Sequence, residues 1–258
     1  MSAAALEADL ELAHRLADEA RAISLSMFRG RFEQRRKADG SIVTAADEAV
    51  ERAIRARLGQ ERPDDAMLGE EFGESGRGPR RWIVDAIDGT ASFAAGSEHW
   101  GTLIALEIEG EVAVGVCDMA PIDRRYWAAR GQGAFSADGA AAPVRLRVSE
   151  TGELEGSRCF VPGADWLPEA DRARAQALGA AARLVIPDDH PALGVAAGEL
   201  DLAAFFVAGP WDVAAPAIVV AEAGGTFTDL HGGSSLARGG GMFSNGRVHE
   251  TALALVRR

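Results

Sequence analysis

Acidic side chains recur at four places along the chain, each time beside an apolar segment. These acids are Asp47, Glu70 with Glu71, Asp85 with Asp88, and Asp212. The densest group follows the apolar residues 82–84 and reads Asp85-Ala86-Ile87-Asp88-Gly89-Thr90. Two carboxylates that a strand delivers to a turn can share a hard cation, and Mg²⁺ prefers oxygen ligands beside a substrate phosphate. The spacing therefore indicates a cation site suited to phosphate chemistry.

The turn around Gly89 adds further candidate groups to this site. The backbone carbonyl of Ile87 lies between the two aspartates and is a candidate ligand. Gly89 permits close backbone approach, and N–H groups of the turn at Thr90 could cradle a phosphate oxygen. Taken singly, each acidic segment also has an ordinary explanation as an Asx-type turn, a helix N-cap or an exposed acidic pair. Agreement among the segments carries the metal-site hypothesis.

Helices and strands must bring these distant acids together. Apolar residues at three- and four-residue steps predict a helix over 3–28 and a second over about 44–58, where Thr44 and Asp47 supply cap-type residues. Residues 102–109 and 111–116 predict a hairpin that turns at Gly110. Residues 211–223 predict a helix that Gly224 and Gly225 end.

The rest of the chain alternates short strands and helices. Strands are predicted over 82–84 (ending at Asp85), 126–129, 133–135, 143–148, 184–186, 202–207 and 226–230, and helices over 171–182, 192–197 and 249–256. Residues 73–81 and the glycine run 239–241 are interpreted as loops, and 150–170 show no clear pattern. This order is typical of an α+β or layered α/β protein.

Composition excludes several classes of protein. The chain has 258 residues and a formal net charge of −12, which repels nucleic acid. No apolar run approaches the roughly 20 residues that span a bilayer, and the N-terminus lacks the pattern of a secretory signal. Cys117 and Cys159 lack metal-type spacing and are interpreted as buried thiols in a reducing compartment. We expect a cytoplasmic protein without a membrane partner.

Four ordered segments together resemble the signatures of the inositol monophosphatase superfamily. They are Asp39 with Val43-Thr44 and Asp47, then Gly69-Glu70-Glu71, then Trp82 to Phe93, then Trp211-Asp212-Val213-Ala214-Ala215, continued by Glu222-Ala223-Gly224-Gly225. The resemblance spans about residues 37–246. It implies the layered αβαβα sandwich of the inositol monophosphatase and fructose-1,6-bisphosphatase type. The chain would then be one catalytic unit, with an N-terminal α+β part (about 1–145) and a C-terminal α/β part (about 146–258).

The resemblance also implies a role for each matching residue. Magnesium ligands are expected at Glu70, Asp85, Asp88, Asp212 and the Ile87 carbonyl, for two or three ions. Catalytic roles are expected for Glu70 and for Asp47 paired with Thr90, and Gly89 and Thr90 would contact the phosphate. The implied reaction is hydrolysis of a small phosphate monoester by metal-activated water, in a homodimer. Where the family usually has proline, this chain has Ala86, which removes a constraint on φ without removing a ligand.

The substrate is less clearly marked. Inositol-selective relatives carry a glutamate shortly before the Trp-Asp pair, whereas residues 204–210 here hold no acid. Residues 93–106 and 226–230 look more like the histidinol-phosphate phosphatases of the superfamily, so histidinol phosphate is the preferred substrate, and inositol phosphate or another small ester is the alternative. Asp188 could meet the cationic amine or imidazole of such a substrate, or it could lie on a solvated loop. The alternative from a different functional class is a non-catalytic relative that binds a phosphometabolite or a partner protein.

Overall fold

The computed structural model describes residues 3–30, 34–36 and 42–257 as five stacked layers, alternately helical and sheet. An outer pair of helices covers an eight-stranded sheet, a middle pair separates that sheet from a five-stranded one, and a last pair covers the second sheet, all within these residues. The predicted α+β sandwich of αβαβα type is confirmed. None of the described helices is both long enough and apolar enough to cross a membrane.

The helical layers come from both halves of the chain. Among the described residues the α-helices are α1 (Ala3–Met27), α2 (Ala45–Glu61), α3 (Thr90–Ala94), α4 (Glu169–Ala181), α5 (Pro191–Ala196), α6 (Pro210–Glu222) and α7 (His249–Val256). Helices α1 and α2 form the first layer, α5 and α6 the middle layer, and α4 and α7 the last. Each layer buries its own apolar cluster against the neighbouring sheet, as amphipathic helices do.

The described strands form two large mixed sheets and a small antiparallel pair, β1 with β2. Their bounds are β1 (Gln34–Arg36), β2 (Ile42–Thr44), β3 (Ala66–Gly69), β4 (Gly73–Ser75), β5 (Arg80–Asp88), β6 (Gly101–Ile108), β7 (Glu111–Met119), β8 (Arg124–Ala129), β9 (Gly133–Asp138), β10 (Val144–Arg145), β11 (Arg158–Phe160), β12 (Arg183–Leu184), β13 (Leu202–Phe205), β14 (Thr226–Thr228) and β15 (Gly241–Ser244). The described strands are ordered β10-β9-β8-β7-β6-β5-β3-β4 in the first sheet and β12-β11-β13-β15-β14 in the second. The division of the chain near residue 145 into two parts stays a prediction.

Two predictions around β5 are wrong. Residues 73–81 are not simply a loop, because Gly73–Ser75 forms β4 and pairs with β3 as a hairpin. This strand lies at the sheet edge, so it lacks the buried alternation that marks a strand in a sequence. Strand β5 also does not end at Asp85 but continues to Asp88.

Three differences concern the second half of the chain. The strand expected over 143–148 is reduced to Val144–Arg145, and β11 lies in the region without a pattern. Gly241, interpreted as part of a flexible loop, begins the buried strand β15. A Cβ atom there would lie 2.3 Å from the Phe227 ring, so close packing requires glycine. The two cysteines are buried, as predicted.

Helix α6 packs unusually closely on the first sheet at Gly115 of β7. A Cβ atom at this glycine would lie 2.5 Å from Cγ2 of Ile218 and 2.8 Å from the Ala215 carbonyl oxygen, both on α6. Glycine therefore sets how near the middle helical layer comes to the sheet. The same helix carries Asp212 in its first turn, so this contact also fixes the position of that carboxylate.

Replacing Gly115 with alanine should lower the free energy of unfolding by about 1–3 kcal/mol, because the added methyl overpacks the α6 contact. Gly59→Ala on α2 is the matched control, since nothing lies within 4 Å of a Cβ there. That control should be neutral or stabilising by up to about 1 kcal/mol. Urea unfolding of both variants gives the comparison, and equal stability of the two would contradict the close-packing account.

Candidate metal centre and active site

A β-bulge places Asp85 and Asp88 on one side of the first sheet. Asp85 pairs with Leu103 and Asp88 with Gly101, so three steps along β5 match only two along β6. In a regular strand, residues an odd number of steps apart point to opposite faces, and one inserted residue reverses that. The irregularity therefore converts the Asp-x-x-Asp spacing into a pair of carboxylates that face the same cavity.

Helix α6 brings the third carboxylate to this point. Asp212 lies at its third position and accepts a hydrogen bond from the Gly209 N–H at 2.5 Å, which closes the first turn. One carboxylate oxygen from each of Asp85, Asp88 and Asp212 lies within 4.8 Å of the others. The alternative that Asp212 is the N-cap residue is wrong, because Gly209 occupies that position. Asp212 accepts from the Gly209 N–H as the third residue of the helix and belongs to the acidic cluster as well.

Glu70 follows β3 in a tight turn that a second buried acid holds in place. The Glu51 carboxylate of α2 accepts hydrogen bonds from the backbone N–H groups of Glu71 at 2.7 Å and Phe72 at 3.2 Å. It also pairs with Arg55 at 2.7 Å and lies against Gly69, where any Cβ would clash with it at 2.1 Å. Glu51 is fully buried and fixes the backbone on which Glu70 sits. Sequence reasoning missed Glu51, which looks like an ordinary acid of a helix.

Asp47 and Thr90 are brought together, as the resemblance implied. Asp47 accepts hydrogen bonds from the Thr44 backbone N–H at 2.8 Å and hydroxyl at 2.5 Å, which cap α2. Its other oxygen lies 2.9 Å from the Thr90 hydroxyl, which is also 2.9 Å from the Ile87 carbonyl. One hydroxyl proton serves two acceptors, so the Thr90 oxygen is held between the capping acid and the candidate carbonyl ligand. Asp39 of the same signature lies outside the described residues.

Crowding of acids raises their pKa values. Burial, and then the charges of Glu70, Asp88 and Asp212, hold the pKa of Asp85 well above its usual range. Burial and the Glu70 charge raise the pKa of Asp88 to about 7, and burial and the Asp88 charge raise that of Asp212 to about 7. Burial also raises the pKa of Asp47. Ionising all of these groups without a counter-charge is unfavourable.

The donor set fits a divalent cation. Asp85 Oδ1 is buried and accepts no hydrogen bond from any residue that the structure describes. An orphaned buried carboxylate oxygen beside two further acids is the arrangement that a hard cation would complete. Within the part of the chain that the structure describes, the clustered ligand groups are carboxylates, which suit a hard cation better than a soft metal. Each of the three acids offers an oxygen of the type that Mg²⁺ prefers.

These acids lie at the base of a cavity of about 500 Å³. Its lining includes every predicted metal and phosphate residue: Glu70, Asp85, Ile87, Asp88, Gly89, Thr90 and Asp212. Arg36, Ile42, Trp166 and Val207, which sequence reasoning missed, complete its walls together with Ala91. A larger surface cavity of about 690 Å³, which Leu167 and Leu184 help to line, contains none of the clustered acids. The site therefore has room for a small molecule directly above the carboxylates.

The predicted substrate residue Asp188 is not brought to this cavity. Its side chain is exposed, whereas the neighbouring Asp189 is buried and accepts a hydrogen bond from the Tyr126 hydroxyl at 2.8 Å. His190 is the residue of this segment that approaches the site, with Nε2 3.7 Å from Asp88 Oδ2 and its ring stacked on Phe205. Burial lowers the pKa of His190 to about 4, so the ring is neutral at pH 7. No sequence signal distinguished it from an ordinary histidine.

The layered fold and the cluster of acids are those of a metal-dependent phosphatase. Comparison with known proteins gives the family. A sequence model described as the inositol monophosphatase family matches residues 5–258. A histidinol-phosphatase of Mycobacterium tuberculosis is 41% identical over 95% of this chain and 96% of its own. One from Streptomyces coelicolor is 38% identical over 95% of each chain. The chain belongs to the inositol monophosphatase family and is a phosphoric monoester hydrolase.

A solved structure agrees in fold. The extragenic suppressor protein suhB from Bartonella henselae superposes with a TM-score of 0.85 at 27% identity, covering 97% of this chain and 99% of that one. The match covers nearly the whole of both chains, so the two proteins share the layered fold. The resemblance noted from the sequence is thereby confirmed.

The raised pKa values predict how stability depends on pH without metal. Between about pH 4 and pH 7 the folded protein holds protons on Asp88 and Asp212 that the unfolded chain has released, so stability falls as pH rises. Asp88→Asn should make that fall shallower and raise the melting temperature at pH 8 in EDTA. Asp64→Asn, at an exposed acid, is the control. If calorimetry gave the same dependence of melting temperature on pH for wild type and Asp88→Asn, the raised pKa of Asp88 would be contradicted.

A second prediction concerns Glu51. Glu51→Gln keeps the shape but loses the charge that accepts two backbone hydrogen bonds and pairs with Arg55, so it should lower the free energy of unfolding by about 1–3 kcal/mol. Glu48→Gln on the same helix removes only exposed-arginine pairs and should cost less than about 1 kcal/mol. Urea unfolding and hydrogen exchange at the Glu71 amide test this. An unchanged exchange rate would show that Glu51 does not hold the turn.

Proposed function

We propose that the protein hydrolyses a small phosphate monoester with Mg²⁺, and that histidinol phosphate is its substrate. The observation that supports this best is the convergence of Asp85, Asp88 and Asp212 at the base of the cavity. Three carboxylates within 4.8 Å of one another would repel both one another and a phosphate unless cations lay between them. The net charge of the chain therefore does not prevent phosphate binding at this point.

We assign the ions, two or three in number, to Glu70, Asp85, Asp88, Asp212 and the Ile87 carbonyl. Bound Mg²⁺ would supply positive charge that stabilises the phosphate and makes an adjacent water more acidic. The bulge in β5 and the first turn of α6 hold these ligands on separate rigid elements, so little rearrangement is needed to bind. Gly89 and Thr90 at the start of α3 face the same cavity and would contact the phosphate.

The attacking water would be oriented by Thr90 with Asp47, and its proton would be accepted by Glu70. The Thr90 hydroxyl donates towards Asp47, which leaves its oxygen free to accept a hydrogen bond from the attacking water and so to orient it. Glu70 lines the cavity beside the cluster and would accept the proton that this water loses. Water would then attack phosphorus directly while the ester P–O bond breaks, and the departing alkoxide would take a proton from solvent water. No side chain would form a bond to the phosphate.

The choice of substrate follows the relatives and the cavity wall. Two relatives that match along nearly the whole chain carry the name histidinol-phosphatase. The segment before Trp211 meets the cavity with Val207 rather than with an acid, which removes a partner for inositol hydroxyls. Inositol phosphate or another small ester is the alternative. We also propose a cytoplasmic homodimer whose partners are small phosphorylated molecules, not nucleic acid or membrane.

A phosphate-release assay with histidinol phosphate, inositol-1-phosphate, fructose bisphosphate and adenosine bisphosphate tests the proposal. Activity should require Mg²⁺, vanish in EDTA and be greatest for histidinol phosphate. Asp85→Asn should lower kcat/KM at least about 100-fold because it removes a ligand, a larger loss than outer-shell changes give. The exposed-acid variant Asp64→Asn should stay within about twofold of wild type.

Melting temperatures of the same protein samples distinguish an enzyme from the non-catalytic alternative. Mg²⁺ should raise the melting temperature of wild type, since a ligand that binds only the folded state stabilises it, and should not raise that of Asp85→Asn. A metal-induced shift without turnover of any ester would favour a binding protein. Absence of both shift and turnover would refute the metal centre.

A further inference from the structure

Part of the active-site cavity is lined by exposed apolar side chains, beside the acids and Arg36. Eight large apolar side chains of the described residues are exposed, and two of them, Trp166 and Val207, line this cavity. Trp166 is 75% exposed and Val207 is 64% exposed. Exposed apolar surface beside a catalytic centre is costly in water and is typical of a wall that a ligand covers.

Trp166 comes from the second half of the chain. It ends the 3-10 turn Ala164–Trp166, whose neighbour Leu167 is buried in the core of the second sheet. The turn is therefore anchored on one side, while the indole ring stands in the cavity. Among the described residues, the other tryptophans are buried or half-buried, so Trp166 is exceptional in its exposure.

Val207 lies in the segment between β13 and α6, three residues before that helix begins at Pro210. The next charged residue along the chain is Asp212, which belongs to the acidic cluster. Within the described residues, the carboxylates that line the cavity are only those of Glu70, Asp85, Asp88 and Asp212. The upper wall thus offers no further acid to accept hydroxyl hydrogen bonds.

These features favour some alcohols over others as the leaving group of the phosphate ester. Besides the acids, Arg36 is the charged residue that the structure places in the cavity lining. A polyol hydroxyl that lay against Trp166 or Val207 would have no partner on the indole and aliphatic surface, which is unfavourable. A planar aromatic or heteroaromatic ring would instead bury its face on Trp166 and its edge near Val207, and a positive charge on the molecule would gain from the indole face.

We propose that Trp166, with Val207, forms a specificity-determining subsite for a planar ring on the alcohol part of the phosphate ester. This inference rests on the proposed function, because the subsite adjoins the proposed metal centre. It extends that function by naming the residues that would select the leaving group, an alcohol that carries an aromatic or heteroaromatic ring. Imidazole in histidinol is one such ring.

Steady-state kinetics separates the ring subsite from the metal centre. The substrates are histidinol phosphate, which has a ring, and glycerol 2-phosphate, which has none. Trp166→Ala should raise KM for histidinol phosphate about tenfold with kcat within threefold, and should leave kcat/KM for glycerol 2-phosphate within twofold. Trp166→Phe keeps an aromatic face and should restore KM to within threefold. Ile186→Ala, at a side chain 91% exposed outside the cavity, is the matched control.

Tryptophan fluorescence gives a readout that does not depend on turnover. Free histidinol added to wild type with Mg²⁺ and inorganic phosphate should quench the exposed indole, and the quenching should disappear in Trp166→Phe, although that variant still binds. The same titration with glycerol should cause no change. Loss of the signal in the variant would assign the change to this ring.

The kinetic and fluorescence experiments together distinguish failure of the subsite from failure of the proposed function. Equal losses for both substrates in Trp166→Ala, or quenching that persists in Trp166→Phe, would overturn the subsite while leaving phosphatase activity intact. If wild type hydrolyses neither ester, the proposed function fails, and the fluorescence titration alone decides. Quenching specific to Trp166 then supports a ring-binding site, and its absence overturns one.

Discussion

Repulsion among carboxylates is the constraint on which the site depends. Asp85, Asp88 and Asp212 lie close together. Their pKa values rise first because of burial and then because of neighbouring acidic charges, including that of Glu70. A protein without a use for this arrangement would gain stability by separating them. The fold instead holds them together, and a cation is the partner that would turn a destabilising cluster into a binding site for a phosphate.

Three local features hold the acids against this repulsion. The bulge in β5 turns two aspartates to one side, the close contact at Gly115 sets α6 and its Asp212, and Glu51 fixes the turn that carries Glu70. Together these features involve the first sheet and the helical layers on both of its faces, so the site exists only when helices and sheet pack together. Stability and function are coupled for that reason: a change that loosens the middle layer moves a ligand.

Much of this was accessible from the sequence, because signatures and local periodicity are short-range. The hairpin at Gly110, helices α1, α2 and α6, and the ordered acidic segments gave the fold class and family. Contacts between distant segments were not accessible. A bulge depends on the partner strand, the buried role of Glu51 depends on how α2 meets the β3–β4 turn, and Trp166 lies in a region without periodicity. The segment 188–190 shows the same limit. The sequence predicted that Asp188 would face the site, whereas His190, two residues later, is the side chain that approaches it.

The central claim is that these carboxylates share divalent cations, and anomalous diffraction from crystals grown with Mn²⁺ in place of Mg²⁺ tests it most directly. The account predicts anomalous peaks within about 2.0–2.3 Å of carboxylate oxygens of Asp85, Asp88 and Asp212, in the cavity that Thr90 also lines. Ordered side chains with no peak between them at millimolar Mn²⁺ would contradict it.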